Sequence, residues 1–328
     1  MSEPHLNGHG RDWLHLEPQS FRRSAGDPRA AMYQPAYTRG LNPLSASQLL
    51  SREFKPAEQV LAPWLPTQGL AMIHAPRGVG KTHVSIGAAC AVAAGKSFLR
   101  WTALMPRRVL VIDGEMPGAM LRERFARTIA TMDASIAPDN LMLVAADIEP
   151  DGLPDLANEE AQQFYADVVA PADLVIVDNL STICRALREN EADSWGPVQS
   201  WALRLRREGK SVLFIHHAGK NGGQRGTSKK EDILNTVIAL RRPPDYEASQ
   251  GARFEVHYEK TRGFYGAAAE PFEAWLRDGA WQIGEVSHAD DDETLRSLKK
   301  QGFSDRDIAK RTGMSKSSVN RKLQRKEQ

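Results

Sequence analysis

A spacing typical of a phosphate-binding loop occurs in the stretch HAPRGVGKTHVS, residues 74–85. Ala75 is followed by four residues and then by a Gly-Lys-Thr sequence. Glycines allow the backbone N–H groups to turn towards phosphates, Lys81 supplies a cation, and the Thr82 hydroxyl suits Mg²⁺. Ala75 stands where the usual pattern has glycine, and a methyl group is tolerated there if the backbone stays extended. The predicted ATP and Mg²⁺ site comprises Ala75, Pro76, Arg77, Gly78, Val79, Gly80, Lys81 and Thr82.

Two acidic residues lie at or just past the ends of further apolar runs. Asp178 closes the run LVIVD, where a buried strand can present a carboxylate to a magnesium-bound water, so Mg²⁺ is expected between Thr82 and Asp178. Glu115, in VIDGEM, follows a strand at the edge where ligands collect in open α/β sheets, and it is placed to polarise an attacking water. Asp113 competes with Glu115 for that role, and Asp178 could instead only cap the next turn.

Strands and helices alternate around these motifs. The predicted strands cover residues 70–74, 109–113, 141–145, 174–178 and 212–216, and the predicted helices cover 82–94, 118–132, 158–169 and 194–208. Apolar strands separated by helices indicate a mostly parallel sheet that is covered on both faces. Strands without intervening helices, at 236–241, 253–259 and 272–283, predict an antiparallel addition at one sheet edge.

Five motifs, taken in order, resemble the RecA-like ATPases and, within them, the RepA-type plasmid replicative helicases. They are the phosphate loop, VIDGEM, LVIVD, FIHHAGK and EKTRG, and the resemblance covers about residues 45–265. It implies a RecA-like α/β core and ATP hydrolysis in a ring-shaped homo-oligomer, expected to be a hexamer. The catalytic residues that it implies are Lys81, Glu115, Asp178, His217, Lys260 and Arg262.

Three of these residues have roles that only the resemblance implies. His217 matches a residue that senses the γ-phosphate, and Lys260 and Arg262 match a Lys-x-Arg pair inserted into the neighbouring subunit's site. In isolation, the alternative for His217 is a core histidine, and a solvated basic edge explains the two cations equally well. A metal pair formed by His216 and His217 is disfavoured, because adjacent strand residues point to opposite faces.

The segment after His217, AGKNGGQRGTSKKED, is rich in glycine and basic residues. In RecA-like proteins the corresponding loop lines a central channel and touches single-stranded DNA, and flexible backbone with cations suits a phosphate chain. The alternative is a mobile surface loop, and the segment STICRALREN is a weaker candidate for the same contact. The predicted DNA contacts in this loop are Lys220, Arg225, Lys229 and Lys230.

Residues 292–328 predict three short helices. Ser304 and Ser315 are placed to cap the second and third helices, and Gly313 makes the turn between them. The unit resembles the helix-turn-helix of resolvase-type DNA-binding domains, which implies contact with duplex DNA; a small packing or oligomerisation unit is the alternative. The residue types that read base edges and grip phosphates on its last helix are Lys316, Ser317, Ser318, Asn320 and Arg321.

Length and composition allow one large domain and a small one. The 328 residues carry a formal charge of only +2, and the two cysteines lack a zinc-binding spacing. The polar N-terminus and the absence of a long apolar run favour a cytoplasmic protein without a membrane partner. The predicted divisions are a flexible arm at 1–40, a RecA-like ATPase domain at 41–286 and the helix-turn-helix domain at 287–328.

Three functions are compatible with these features. The first is an oligomeric DNA-dependent ATPase, a RepA-like ring helicase or translocase acting in replication of a mobile element. The second is an ATP-controlled switch that binds duplex DNA in recombination, repair or replication initiation, without unwinding. The third, a DNA-binding regulator without enzymatic activity, is supported only by Ala75, so the sequence favours an ATP hydrolase.

Overall fold

The computed structural model describes residues 42–185, 195–217, 231–286 and 292–323. The chain divides into two compact units, residues 1–55 and residues 56–328. In the first unit, helix α1 (Ala46–Leu50) begins after Ser45, whose hydroxyl accepts a hydrogen bond from the backbone N–H of Gln48 while the Gln48 side chain accepts one from the Ser45 N–H. This reciprocal cap satisfies two N–H groups that a helix start otherwise leaves unbonded.

The second unit contains the other helices and all the strands that the structure describes. Its helices are α2 (Lys81–Ala94), α3 (Gly118–Thr131), α4 (Ala166–Val169), α5 (Leu180–Ile183), α6 (Gly196–Arg207), α7 (Asp292–Lys300), α8 (Asp305–Thr312) and α9 (Lys316–Leu323). Its strands are β1 (Gln59–Leu61), β2 (Leu65–Pro66), β3 (Leu70–Ala75), β4 (Ser97–Phe98), β5 (Trp101–Thr102), β6 (Val109–Asp113), β7 (Leu141–Ala145), β8 (Leu174–Asp178), β9 (Ser211–His217), β10 (Thr236–Arg241), β11 (Arg253–Thr261), β12 (Phe272–Arg277) and β13 (Ala280–Gly284).

Nine of the strands form one sheet in the order β13-β12-β11-β10-β3-β9-β8-β6-β7. The strands from β10 to β7 run parallel, and β11, β12 and β13 extend the sheet antiparallel. Strands β3, β6, β8 and β9 are buried along their whole length, as strands covered on both faces must be. The predicted RecA-like α/β core, with its antiparallel edge, is confirmed.

Helices cover the two faces of this sheet. Helix α2 buries 11 of its residues, most of them small, against the face that includes Ile73. Helix α6 packs its tryptophan Trp201 against the opposite face, which includes Met72. Helix α2 also packs closely against the short β4–β5 hairpin, since a Cβ added at Gly87 would fall 2.2 Å from the ring of Phe98 on β4. The small residues of α2 therefore allow this helix, which follows the phosphate loop, to pack closely against the neighbouring strands.

Residues 158–169, predicted as one helix, form two shorter pieces. The Asn158 side chain accepts hydrogen bonds from the N–H groups of Glu160 and Ala161, as expected of a cap, but a 3₁₀ turn covers Ala161–Tyr165 before α4 begins. Side chains three residues apart in a 3₁₀ turn point the same way, and here Gln162 and Tyr165 are both buried. The prediction of a continuous helix is wrong, because that local winding turns both side chains inward.

The three helices predicted near the C-terminus are present as α7, α8 and α9. Their small core consists of Leu295, Leu298, Ile308 and Val319. Ser304 caps α8 through its hydroxyl, and Gly313 ends α8 in a left-handed conformation with φ of 72°. Within the described part of the chain, every helix is too short or too polar to cross a lipid bilayer.

We predict that Gly87→Ala lowers the free energy of unfolding by about 1–3 kcal/mol, because the added methyl overpacks the contact with Phe98. Urea denaturation of the purified protein measures this change. Gly196→Ala is the matched control, since a Cβ at Gly196, the first residue of α6, meets nothing within 4 Å. Equal stability of the two variants would contradict the close approach of α2.

Candidate active site

A cavity of about 440 Å³ opens at the carboxyl ends of the parallel strands. Four neighbouring strands, β3, β9, β8 and β6, end beside it. The loop after β3, Glu115 after β6, Asp178 at the end of β8 and His217 at the end of β9 all line this cavity. Side chains that are far apart in the sequence therefore meet because parallel strands deliver their carboxyl ends to one edge.

The phosphate loop connects β3 to α2 in an open turn. Gly78 and Gly80 have φ values of 75° and 127°, which glycine adopts readily and other residues rarely do. A Cβ at Gly80 would also come within 3.0 Å of the Phe254 ring. Ala75 is the last residue of an extended strand, so its methyl group carries no backbone strain. Of the other predicted loop residues, Val79 is buried, and Pro76 and Arg77 are exposed.

The Lys81 ammonium group is folded back over this loop. Its Nζ atom donates hydrogen bonds of 2.9 Å to the carbonyl oxygens of Ala75 and Pro76. Burial lowers the pKa of Lys81 to about 8, although the nearby carboxylates of Asp178 and Glu115 favour the charged form. Lys81 is thus a buried cation placed at the helix start, where the helix dipole also favours an anion.

Asp178 is the buried carboxylate of the site. Burial, together with the neighbouring charge of Asp113, raises its pKa to about 7, while a hydrogen bond from Ser85 and the charge of Lys81 oppose the shift. The Ser85 Oγ atom donates to Asp178 Oδ2 at 2.6 Å. Ser85 lies at the start of the second turn of α2 and was not among the residues predicted from the sequence. Its position one helical turn after the phosphate loop was the only available signal.

The structure separates the roles of the two acids after β6. Asp113 Oδ1 accepts hydrogen bonds from the backbone N–H groups of Glu115 and Met116, at 3.0 and 2.8 Å, so this carboxylate shapes the turn. Burial raises the pKa of Asp113, and those two hydrogen bonds oppose the rise. The Glu115 side chain is 54% exposed and borders the cavity. Glu115 is therefore the acid that can reach a bound molecule.

Two further side chains hold Glu115 in place. The Asn179 amide donates a short hydrogen bond to Glu115 Oε2, and His217 Nε2 lies 3.6 Å from the same oxygen. Asn179 is buried and its own oxygen accepts from the Ser181 N–H, which fixes the amide orientation. The sequence-predicted pair Glu115 and His217 thus meets. Asn179 is an addition, signalled only by its position directly after Asp178.

Lys260 and Arg262 lie at the other end of the strands from the cavity, where the parallel strands begin. In β11, Thr261 pairs with Thr236 and Lys260 with Val237, and Thr236 is in register with Ala71 near the start of β3. From Ala71 to Ala75 the strand rises about 13 Å, and two strand spacings add roughly 10 Å across the sheet. Neither cation can therefore join the cavity of its own chain.

The predicted DNA-contacting residues divide into three groups. On α9, Lys316, Ser317 and Arg321 are exposed. Ser318 and Asn320 are partly buried, Ser318 donating through its N–H to Ser315 Oγ and Asn320 through its amide to Asp305 Oδ2 at 3.4 Å. The residues of the basic loop lie outside the described residues; these are Lys220, Arg225, Lys229 and Lys230.

The fold and the phosphate loop define a P-loop ATPase with a RecA-like core. The chain matches the AAA domain family over residues 35–223, more than half of its length, and it belongs to that family. Membership implies nucleotide binding. No match was found among curated proteins. The chain is also similar to the crystal structure of a KaiC-like protein from the hyperthermophilic archaeon Pyrococcus horikoshii, at 14% identity and a TM-score of 0.48, covering 68% of this chain and 93% of that one.

We predict that Asp178→Asn raises the free energy of unfolding more at pH 8 than at pH 5. The pKa of Asp178 is raised to about 7 by burial, so the folded state holds a proton that the unfolded chain releases near its ordinary value. The cost of ionising Asp178 in the fold therefore grows as pH rises from about 4 to 7, and asparagine removes it. Denaturant titrations at both pH values measure the difference, and a pH-independent effect would contradict a carboxylate buried at this position.

Proposed function

We propose that this protein is an oligomeric, DNA-dependent ATPase, a RepA-like ring helicase or translocase acting in replication of a mobile element. The observation that supports ATP hydrolysis best is the convergence of Lys81, Thr82, Glu115 and Asp178 on one cavity at the carboxyl edge of the sheet. Lys81 and the loop N–H groups would bind the β- and γ-phosphates. Glu115, oriented by Asn179, would polarise the attacking water.

The residues at this cavity fit Mg²⁺. Thr82 and Asp178 border the cavity with a hydroxyl and a carboxylate oxygen, the hard ligands that Mg²⁺ prefers. No group of three or more His, Cys, Asp or Glu side chains in the described ranges could hold a metal by itself. That pattern suits an ion that keeps several waters and binds through substrate phosphates. When bound, Mg²⁺ neutralises charge on the transferred phosphoryl group.

The position of the two cations, at the end of the sheet where the parallel strands begin, supports the proposal of an oligomer. Lys260 and Arg262 cannot reach the cavity of their own chain, but in a ring or filament this edge can face the cavity of the next chain. A cation supplied across an interface to the γ-phosphate raises hydrolysis by about 10³–10⁵-fold in other nucleotide hydrolases. We therefore assign Lys260 and Arg262 to the neighbouring subunit's site, where His217 would sense the γ-phosphate next to Glu115.

Two parts of the chain are proposed to contact DNA. Strand β9 ends at His217 beside the cavity, and the basic segment follows His217 in the sequence, so DNA bound by this segment in a ring channel would be close in the chain to the γ-phosphate sensor. In the C-terminal unit, α9 exposes Lys316, Ser317 and Arg321 on one helix, side chains suited to the phosphates and base edges of a duplex. Asn320, held by Asp305, would support this helix.

One observation favours the second function, an ATP-controlled duplex-binding switch. The segment after β10 contacts both the phosphate loop and the C-terminal unit. Arg242 donates to the carbonyl oxygen of Gly78 at 3.3 Å, and Arg311 of α8 donates to the carbonyl oxygen of Pro244 at 3.3 Å. Two consecutive prolines restrict the backbone between these contacts. A change at the phosphate loop on nucleotide binding would thus be transmitted to the helices that are proposed to bind duplex DNA.

We predict that Glu115→Gln retains ATP binding and lowers hydrolysis by about 10²–10⁴-fold, because the amide cannot accept a proton from water. Lys81→Ala is expected to lose hydrolysis together with tight binding. Asp113→Asn is the matched control, since an amide oxygen can still accept the two turn hydrogen bonds, and its rate should stay within a few-fold of wild type. Filter binding of labelled ATP and phosphate release measure the two steps, and normal turnover by Glu115→Gln would overturn the assignment.

We predict that single-stranded DNA stimulates hydrolysis more than duplex DNA does, as expected of a translocase. Arg321→Ala should weaken duplex binding and reduce its salt dependence by about one phosphate contact, without changing ATP affinity. Arg122→Ala, an exposed arginine on α3, is the matched control. Phosphate release with single-stranded, duplex and no DNA, and duplex titrations at several salt concentrations, give the result. Stimulation by duplex alone would favour the switch, and no effect of either DNA would refute both functions.

A further inference from the structure

A buried histidine directly precedes the phosphate loop and is bound to a strand two positions away in the sheet. His74, the residue before Ala75, is fully buried, and its Nε2 atom lies 2.8 Å from Glu259 Oε2 on β11. Glu259 also accepts a hydrogen bond of 2.8 Å from Arg241 on β10. Strand β10 lies between β3 and β11, and its residue in register with His74 is the small Ala239, so the imidazole can reach across.

A β-bulge places Glu259 next to Lys260 on the same face of the sheet. The register of β10 and β11 shifts here, because Ile238 pairs with Tyr258 whereas Val237 pairs with Lys260. Glu259 is the extra residue of this irregularity. In a regular strand, neighbouring side chains would point to opposite faces, but a bulge turns two consecutive side chains to one side. The carboxylate that His74 holds therefore stands beside the first cation of the pair.

The charges around Glu259 keep it ionised. Burial favours the neutral carboxyl group, but hydrogen bonds from His74 and Arg241 outweigh burial, and the pKa of Glu259 is lowered. Glu231 is the acid that interacts with Glu259, and its pKa is raised by its own burial and by the charge of Glu259. Glu255, four residues earlier in the chain, is hydrogen-bonded to His257. Glu259 is thus a fixed anion tied to β3 and β10.

The two cations continue from this anchored point. The Lys260 ammonium group donates a short hydrogen bond to the carbonyl oxygen of Glu231. The Arg262 backbone N–H donates to the carbonyl oxygen of Asn235 at 2.9 Å, and its guanidinium group contacts the carbonyl oxygen of Asp232. Lys260, next to the bulge, and Arg262, directly after β11, are thus both held against the segment that precedes β10.

We propose that His74 and Glu259 are positioning residues for Lys260 and Arg262. In this role they connect β3, which leads into the phosphate loop of one subunit, to the two cations that act in the site of the next subunit. The inference rests on the proposed function, in which these cations act in trans. Loss of the His74–Glu259 contact would leave ATP binding by the altered chain intact. It would slow hydrolysis at the neighbouring site, where a misplacement of about 1 Å can cost 10²-fold.

Glu259→Gln is the principal test, because it removes the charge while keeping the size of the side chain. We expect wild-type ATP affinity and a loss of hydrolysis of about 10²-fold. His74→Gln, which keeps a donor of similar reach, is the second variant and should lose less. Glu255→Gln is the matched control on the same strand and should hydrolyse ATP at the wild-type rate. Thermal unfolding checks that each variant is folded.

Mixing experiments separate a role in trans from a role in the chain's own site. Glu259→Gln chains keep an intact phosphate loop, and Lys81→Ala chains keep correctly placed Lys260 and Arg262 side chains for the neighbouring site. Subunits of the two variants, mixed before assembly, should therefore hydrolyse ATP faster than the sum of the two measured separately. A merely structural effect on the chain's own phosphate loop would not be rescued in this way.

The mixture of Arg262→Ala with Lys81→Ala tests the proposed function itself. If that mixture recovers activity and the Glu259→Gln mixture does not, the positioning role is overturned while the function in trans stands. If neither mixture recovers, the function in trans fails and the inference fails with it. Wild-type hydrolysis by Glu259→Gln alone would also overturn the positioning role.

Discussion

Two buried charges of opposite sign, Lys81 and Asp178, are the constraint on which the site depends. Burial moves the pKa of each towards its neutral form, to about 8 and about 7, and their mutual attraction offsets only part of that cost. A fold retains such costly groups where a ligand completes their interactions. The close packing of α2, the fully buried parallel strands and the hydrogen bond from Ser85 all hold these two groups at one sheet edge.

The mixed sheet places acidic and phosphate-binding residues at one end of its strands and the two cations Lys260 and Arg262 at the other. The phosphate loop, Glu115 and Asp178 lie at the carboxyl ends of the parallel strands. Because β11 runs antiparallel, Lys260 near its end and Arg262 directly after it lie at the opposite end of the sheet. Under the proposed function, this arrangement requires a second copy of the chain, because Lys260 and Arg262 lie too far from the cavity of their own chain. Hydrogen bonds from His74 on β3 and Arg241 on β10 to Glu259 join the strand that carries the phosphate loop to the strand that carries Lys260.

The sequence predicted the framework better than the side-chain network. Strands β6 and β8 lie where expected, because each is an apolar run closed by a carboxylate, and the phosphate loop follows β3 as its spacing indicated. The contacts of Ser85 and Asn179 were not predictable, because they join residues distant in the chain, and the sequence shows no partner for either. The bulge at Glu259 was missed because it depends on pairing with β10, and strand periodicity alone predicts strict alternation. Lys260 was identified from its motif, but its distance from the cavity of its own chain could be seen only from the strand order and register.

We propose that a triphosphate held by the loop of one chain is hydrolysed with the help of cations from another. The most direct measurement is the ATPase rate per chain over a wide range of protein concentration, with the molar mass determined by light scattering in the same solutions. We expect the rate per chain to rise together with the oligomeric fraction and to be low wherever the monomer predominates. A monomer that hydrolyses ATP at the full rate at every concentration would contradict it.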